Sequence, residues 1–331
     1  MANDKPNILI FFTDMQRADT IRALGNTVIR TPNLDRLVAE GTAFSNCFSP
    51  SPVCVPARCC MHYGLYPQKT GLFDNGTMMP DNGASYPEMR MMKAYYYASI
   101  SFVDFQIGRV LDALEASGQL DCTLILFASD HGELLGDFNC FGKRSMHDAS
   151  VRVPLIARYP ARFRAGRTCQ TAVSLVDLYP TVLSAAGVDA AARTSDGLDL
   201  ATVARRGSSA RTVFSQFSQA ATGLYMAANT DWKYVHSTGD GCDFLFDRHA
   251  DPSETVNLAA SRKVAVIKEE LKQALLRHLK ICGRSEAYVE RGGCLHWRRY
   301  ARINEDYLKT PDARLLLQDY PSYALNLPGY M

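Results

Sequence analysis

No run of this 331-residue chain is long and apolar enough to span a bilayer, and none joins a basic prefix to an apolar core as a secretion signal does. These two absences argue against a helical membrane protein and make the cytoplasm the expected compartment. A dominant charge is lacking as well. The 36 Lys and Arg oppose 34 Asp and Glu, a net charge of +2, so nucleic acid is not expected as a partner. Internal repeats, low-complexity linkers and the CxxC pairs that frame zinc modules are also missing. The ten cysteines therefore read as free thiols, most of them small buried hydrophobes, and adjacent Cys59 and Cys60 are too close in sequence to bridge each other.

What is present is an alternation of apolar strands and amphipathic helices. Residues 7–12 form a continuous apolar run ending in Thr13-Asp14, and residues 123–128 form another ending in Ser129-Asp130-His131-Gly132. Each reads as a buried strand of a parallel sheet, with polar residues at the carboxyl end where open α/β sheets bind ligands. A helix start at Thr31-Pro32 runs to Gly41, with Thr31 as the cap. The run 87–116 predicts one long amphipathic helix, whose apolar stripe is Met91, Ala94, Tyr95, Ala98, Phe102, Phe105, Gly108, Leu111 and Leu114. Residues 153–157 read as a strand, and 173–187 as a helix with Pro180 in an early turn or at a kink. Farther on, 225–235 and 243–247 predict a small antiparallel sheet and 263–279 a helix.

The expected fold is α/β: a mostly parallel sheet flanked by helices, with a small C-terminal α+β subdomain. The expected divisions are 1–210, 211–293 and an arm over 294–331. The arm carries Trp297, Tyr300, Tyr307, Tyr320, Tyr323 and Tyr330, residue types enriched at interfaces, so a homo-oligomer is expected.

The chemistry-bearing residues fall at the strand ends and in one proline-bounded turn. Asp14, Asp130 and His131 can converge on a divalent cation from two strands of one sheet, or they can be loop residues facing solvent. Cys54 lies in Ser51-Pro-Val-Cys-Val-Pro-Ala-Arg58, just ahead of a helix predicted over 57–63. A helix N-terminus favours an anion there; the alternative is a buried thiol.

Together these runs resemble the type I sulfatases, the formylglycine-dependent branch of the alkaline phosphatase superfamily, from residue 5 to about residue 260. Residues 46–72 look like that family's first signature, and Asp14-Met15-Gln16-Arg17 is similar to the form in the choline-sulfatase and phosphonate-monoester-hydrolase branch. The resemblance implies that Cys54 becomes formylglycine, made by a formylglycine-generating enzyme. It implies one divalent cation, Ca2+ or Mn2+, held by Asp14, Asp130, His131 and the modified residue 54. Arg58 and Lys143 would complete the catalytic set with His147, while Asn75 and Arg17 would face a small anionic ester. Two departures stand out. Met15 replaces the second acid of many relatives, and the second signature, Gly-Lys-Trp-His, is absent. The resemblance thus implies a section missing near Asn82-Gly83. The expected activity is metal-dependent hydrolysis of sulfate esters. Phosphonate or phosphate esters are close competitors, and an inactive binding protein is the reading from a different class.

Overall fold

The computed structural model describes residues 5–71, 86–188, 195–207 and 211–300. Its centre is a five-stranded sheet in the order β1-β4-β6-β2-β7. The strands are β1 Asn7–Thr13, β4 Thr123–Ser129, β6 Leu155–Arg158, β2 Thr42–Phe44 and β7 Arg167–Cys169. β1 and β4 pair in parallel, as do β2 and β7, whereas β6 runs antiparallel to both of its neighbours. The sheet is therefore mixed in direction, and its parallel β1–β4 half carries the predicted strand ends. A smaller sheet joins β5 Arg152–Val153, β3 Cys47–Phe48 and β8 Val173–Ser174.

Helices cover both faces. On one side Leu9 and Phe11 of β1 pack with Leu34 and Leu37 of α1 (Pro32–Glu40) and with Ile107 and Leu111 of α4 (Tyr86–Ala116). On the other, Phe12, Leu124, Leu126 and Ala128 meet Met61 of α2 (Cys54–Tyr63), Leu178 of α6 (Leu178–Ala185) and Leu200 of α7 (Leu200–Arg206). Two single-turn helices, α3 (Pro67–Thr70) and α5 (Asp148–Val151), finish the loops after α2 and before β5. Where 173–187 reads as one helix, the chain instead makes strand β8 and then α6, with Pro180 in its first turn.

The C-terminal region is an antiparallel sheet, β12-β11-β10-β9, covered by α8 (Ala265–Ile281). Its strands are β9 Val213–Phe217, β10 Leu224–Ala228, β11 Trp232–Ser237 and β12 Cys242–Asp247. A two-stranded ribbon follows, β13 Tyr288–Arg291 with β14 Cys294–Trp297. Trp297, expected in an associating arm, packs on its own chain: its ring stacks on His236 at 4.0 Å and its Nε1–H donates to Tyr234 Oη at 2.8 Å. The arm beyond residue 300 lies outside the described residues.

Three expectations need correction. Thr31 occupies the cap position of α1 but makes no capping bond. The buried carboxylate of Asp104, on α4, instead accepts from the Asn33 and Leu34 amides at 3.3 and 2.7 Å. Only Cys47, Cys60 and Cys169 of the ten thiols are buried, though none of the ten forms a disulfide. The α4 stripe is two stripes: Ile100, Ile107 and Leu111 are buried, whereas Met91, Tyr95, Phe102 and Phe105 are exposed. Among the described residues, no helix is long and apolar enough to cross a membrane.

Candidate metal and nucleophile site

The register of β1 on β4 builds the site. Thr13 pairs with Ser129, so Asp14 and Asp130 leave the same sheet end side by side. The Asp130 amide donates to Thr13 O at 3.2 Å. Met15 then turns through a positive φ of 59°, a conformation that costs a β-unbranched residue on the order of 1 kcal/mol. Two bonds hold that turn. The Met15 amide donates to Asp130 Oδ1 at 3.1 Å, and its carbonyl accepts from Tyr96 Oη at 2.6 Å. Tyr96 Oη also accepts from the Arg17 amide at 3.0 Å, so α4 clamps the turn that follows Asp14. Burial pushes the Tyr96 hydroxyl well above its ordinary pKa, so it stays a neutral donor.

After Asp130 the chain passes beneath residues 149–150. Gly132 N–H donates to Ser150 O at 2.7 Å, and a Cβ at Gly132 would lie 2.0 Å from Ala149 O. Only glycine fits this approach. His131 Nδ1 lies 2.9 Å from Gly132 O. A carbonyl can only accept, so the proton sits on Nδ1 and the Nε2 lone pair is free to face Cys54.

Cys54 is the first residue of α2, three residues earlier than the predicted helix start, with extended Val53 as its cap. Its Sγ lies 3.1 Å from His131 Nε2 and 3.2 Å from Lys143 Nζ. One turn on, Arg58 bridges the carboxylates: Nη2 reaches Asp14 at 2.9 Å, and Nε reaches Asp130 Oδ2 at 3.1 Å. Although burial pulls against it, Asp130 and Asp14 hold the Arg58 pKa above its ordinary value. Ligand atoms of Asp14, Cys54, Asp130 and His131 all lie within 4.8 Å of one another. Two carboxylates and one imidazole suit a hard divalent cation, and Arg58 shows that the pair already converges on positive charge. The donor set fits such a cation.

Glu133, directly after Asp-His-Gly, orders the lysine loop by accepting from the Leu135 amide at 3.2 Å and from the Gly142 amide. Burial raises its pKa. No sequence rule had marked it, or Tyr96. The position of Glu133 beside the motif was the only signal for it.

Other expected site residues fare differently. Arg17 is engaged internally, with Asp137 at 2.7 Å, Asp19 at 2.8 Å and the carbonyls of Glu133 and Leu134 at 3.2 Å. It braces the turn. His147 is buried, stacked on Phe138 at 3.9 Å, with Nδ1 3.4 Å from Glu254 Oε2. Both line a cavity of about 420 Å³ whose walls include Asp137, Asp148 and Arg152. Asn75 lies outside the described residues.

Behind this cavity, Lys233 of β11 is fully buried and paired with Asp148 and Glu254. Its ammonium also donates to Met146 O at 2.9 Å, tying the C-terminal sheet to the loop that carries His147. Burial works against the Asp148 carboxylate, but Lys233, Arg248 and Arg152 hold its pKa well below the usual range.

Comparison with known proteins gives concordant results. The family model described as Sulfatase matches residues 6–90 and 82–188, two stretches meeting where the sequence implies a missing section. The model described as N-sulphoglucosamine sulphohydrolase, C-terminal, matches residues 136–280. The chain is 37% identical over 186 residues to Arylsulfatase K of Xenopus laevis, covering 52% of this chain and 34% of that protein. It is 33% identical over 175 residues to the choline-sulfatase of Rhizobium meliloti, covering 52% and 34%. The chain thus spans about a third to a half of the length of the curated relatives it matches. In fold it is similar to the phosphonate monoester hydrolase of Agrobacterium radiobacter, with a TM-score of 0.73, 18% identity, and coverage of 89% of this chain and 100% of that one.

Proposed function

Because the chain belongs to the sulfatase family of the alkaline phosphatase superfamily, we propose that it hydrolyses sulfate esters with a formylglycine made from Cys54 and one divalent cation. One observation carries this reading: Asp14, Cys54, Asp130 and His131 offer donor atoms within 4.8 Å, with Lys143 on the same sulfur. Asp14, Asp130 and His131 would hold Ca2+ or Mn2+, with residue 54 beside them. When present, the aldehyde hydrate supplies an oxygen nucleophile, and the cation supplies electrophilic stabilisation of anionic oxygens.

The rest is work for side chains of this protein. Lys143, 3.2 Å from the position-54 sulfur, is within reach of a non-bridging oxygen of a group bonded there. Arg58 offers a fork of donors suited to an oxyanion, while its pairing with both carboxylates keeps it oriented. The N-terminus of α2 adds its amides and dipole on the same side. In the neutral ring of His131, the bond from Nδ1–H to Gly132 O leaves the Nε2 lone pair to face the cation. His147 and Arg17 line the 420 Å³ cavity, whose walls do not include Cys54, Lys143 or the two carboxylates. His147 would face the leaving oxygen, and Arg17 would hold the cavity wall.

The second reading is a phosphonate monoester, because the Asp14-Met15-Gln16-Arg17 form is similar to that of the branch that holds phosphonate monoester hydrolases beside choline-sulfatases. The test is turnover by full-length protein co-expressed with a formylglycine-generating enzyme, on an aryl sulfate, an aryl phosphonate monoester and an aryl phosphate. Sulfate-ester hydrolysis that disappears in Cys54→Ala supports the proposal. Preference for the phosphonate favours the second reading. No turnover on any of the three, with no bound metal, makes the chain a binding protein instead.

A further inference from the structure

While Cys54 keeps its thiol, the donors gathered around it are not those of a hard-cation site. Asp130 Oδ1 accepts from the Met15 and His131 amides at 3.1 and 2.9 Å, which leaves Oδ2 as its donor to the site. His131 presents Nε2 at 3.1 Å from Cys54 Sγ, and Asp14 adds an exposed carboxylate. Sulfur, nitrogen and two carboxylates thus lie within 4.8 Å of one another. Ca2+ takes roughly six to eight oxygens, which this set does not supply. A thiolate, an imidazole and carboxylates, one donor from each residue, are instead the ligands of a tetrahedral zinc ion. Around such an ion, bonds of about 2.3 Å to sulfur and 2.0 Å to nitrogen set these two ligands about 3.5 Å apart. Sγ and Nε2 come within about 0.5 Å of that separation.

We propose that the chain with Cys54 unconverted is a zinc-binding protein, its ion held by Asp14, Cys54, Asp130 and His131. The proposal rests on the ligand assignment of the proposed function but not on formation of formylglycine. The charges balance. A thiolate and two carboxylates face the ion together with Arg58, which donates to both carboxylates, and Lys143, whose Nζ donates to Sγ at 3.2 Å. A donor on the ligand sulfur and the Gly132 carbonyl behind His131 Nδ1 orient two of the four ligands. Conversion would replace the sulfur by oxygen, and the remaining donors then suit Ca2+ or Mn2+. Residue 54 therefore selects the ion. Zinc on the thiolate engages the sulfur lone pairs and shields Cys54 from electrophiles.

The test uses the full chain expressed without a formylglycine-generating enzyme, with its Cys54 peptide at the thiol mass. Titration with Zn2+ against a chelating competitor is expected to give one ion per chain, held more tightly than Ca2+ or Mn2+. Co2+, an optical probe, should show a thiolate-to-metal charge-transfer band. Cys54→Ser, which changes one atom in the first turn of α2, should lose that band. It should also weaken Zn2+ by at least the roughly 10–100-fold typical of a disturbed outer partner, while circular dichroism checks its fold. Cys294→Ser, at an exposed thiol, should keep both properties. Zn2+ but not Ca2+ should slow alkylation of Cys54 by iodoacetamide, read in peptide mass spectra. Absence of stoichiometric Zn2+, equal affinity in Cys54→Ser, or a Co2+ complex without the sulfur band overturns the proposal. Ester turnover by the converted protein is a separate measurement, so a failure here leaves the proposed function to its own test.

Discussion

Replacing Lys233 by methionine removes the ammonium from a fully buried site and leaves the carboxylates of Asp148 and Glu254 behind. Breaking a buried pair by deleting one partner costs about 3–5 kcal/mol, because the remaining charge is stranded. Two features move this case toward the lower end. Asp148 keeps Arg152 at 3.2 Å and Arg248 at 3.4 Å, and Glu254 still accepts from the Asp148 amide at 2.7 Å. The expected loss is about 3 kcal/mol at pH 7, read as a lower urea midpoint at unchanged slope. The sign of the pH effect follows from Asp148, whose pKa the surrounding cations depress in the folded protein. Its stabilising share is complete above the unfolded carboxylate pKa of about 4 and fades as pH falls below that toward the depressed folded value. In Lys233→Met the folded pKa rises toward the unfolded value, so the gap between variant and wild type should hold from pH 7 to about pH 4 and narrow as pH falls below that. Lys280→Met, at an exposed pair with Glu290, serves as control and should leave the urea midpoint unchanged. A loss under about 1 kcal/mol for Lys233→Met, or a gap that widens on acidification, would refute the reasoning.

Asp130→Asn should abolish stoichiometric metal binding measured by plasma mass spectrometry, since it weakens the fully buried member of the proposed ligand set and leaves Arg58 only Asp14 as a carboxylate partner. Tyr96→Phe removes the bonds to Met15 O and from the Arg17 amide; at about 1 kcal/mol each, the melting point should drop. Catalytic efficiency in the matured protein should fall with it, and an unchanged turn would show equal efficiency in both. Gly132→Ala drives a methyl into Ala149 O and should cost more than about 3 kcal/mol or prevent soluble expression.

The site was legible where local chemistry and strand polarity agree. Asp14, Asp130 and His131 close apolar runs, and once β1 and β4 pair in parallel their convergence follows. Cys54 was marked by its prolines and Arg58. What stayed hidden were residues whose role exists only across tertiary contacts. Asp104 caps a helix more than sixty residues earlier, Lys233 is a lone cation in a strand, and Tyr96 is one tyrosine among three in a row. The α4 stripe was misread because periods of 3.5 and 3.6 merge over three turns, so two opposed faces looked like one. The single helix expected over 173–187 failed because Val173 and Ser174 are taken by pairing with β3, an interaction that helical periodicity does not encode.

The central claim turns on what position 54 becomes. Peptide mass spectrometry after co-expression with a formylglycine-generating enzyme should find the Cys54 peptide about 18 Da lighter than its thiol form, the signature of an aldehyde. A peptide that keeps the cysteine mass under those conditions contradicts the account.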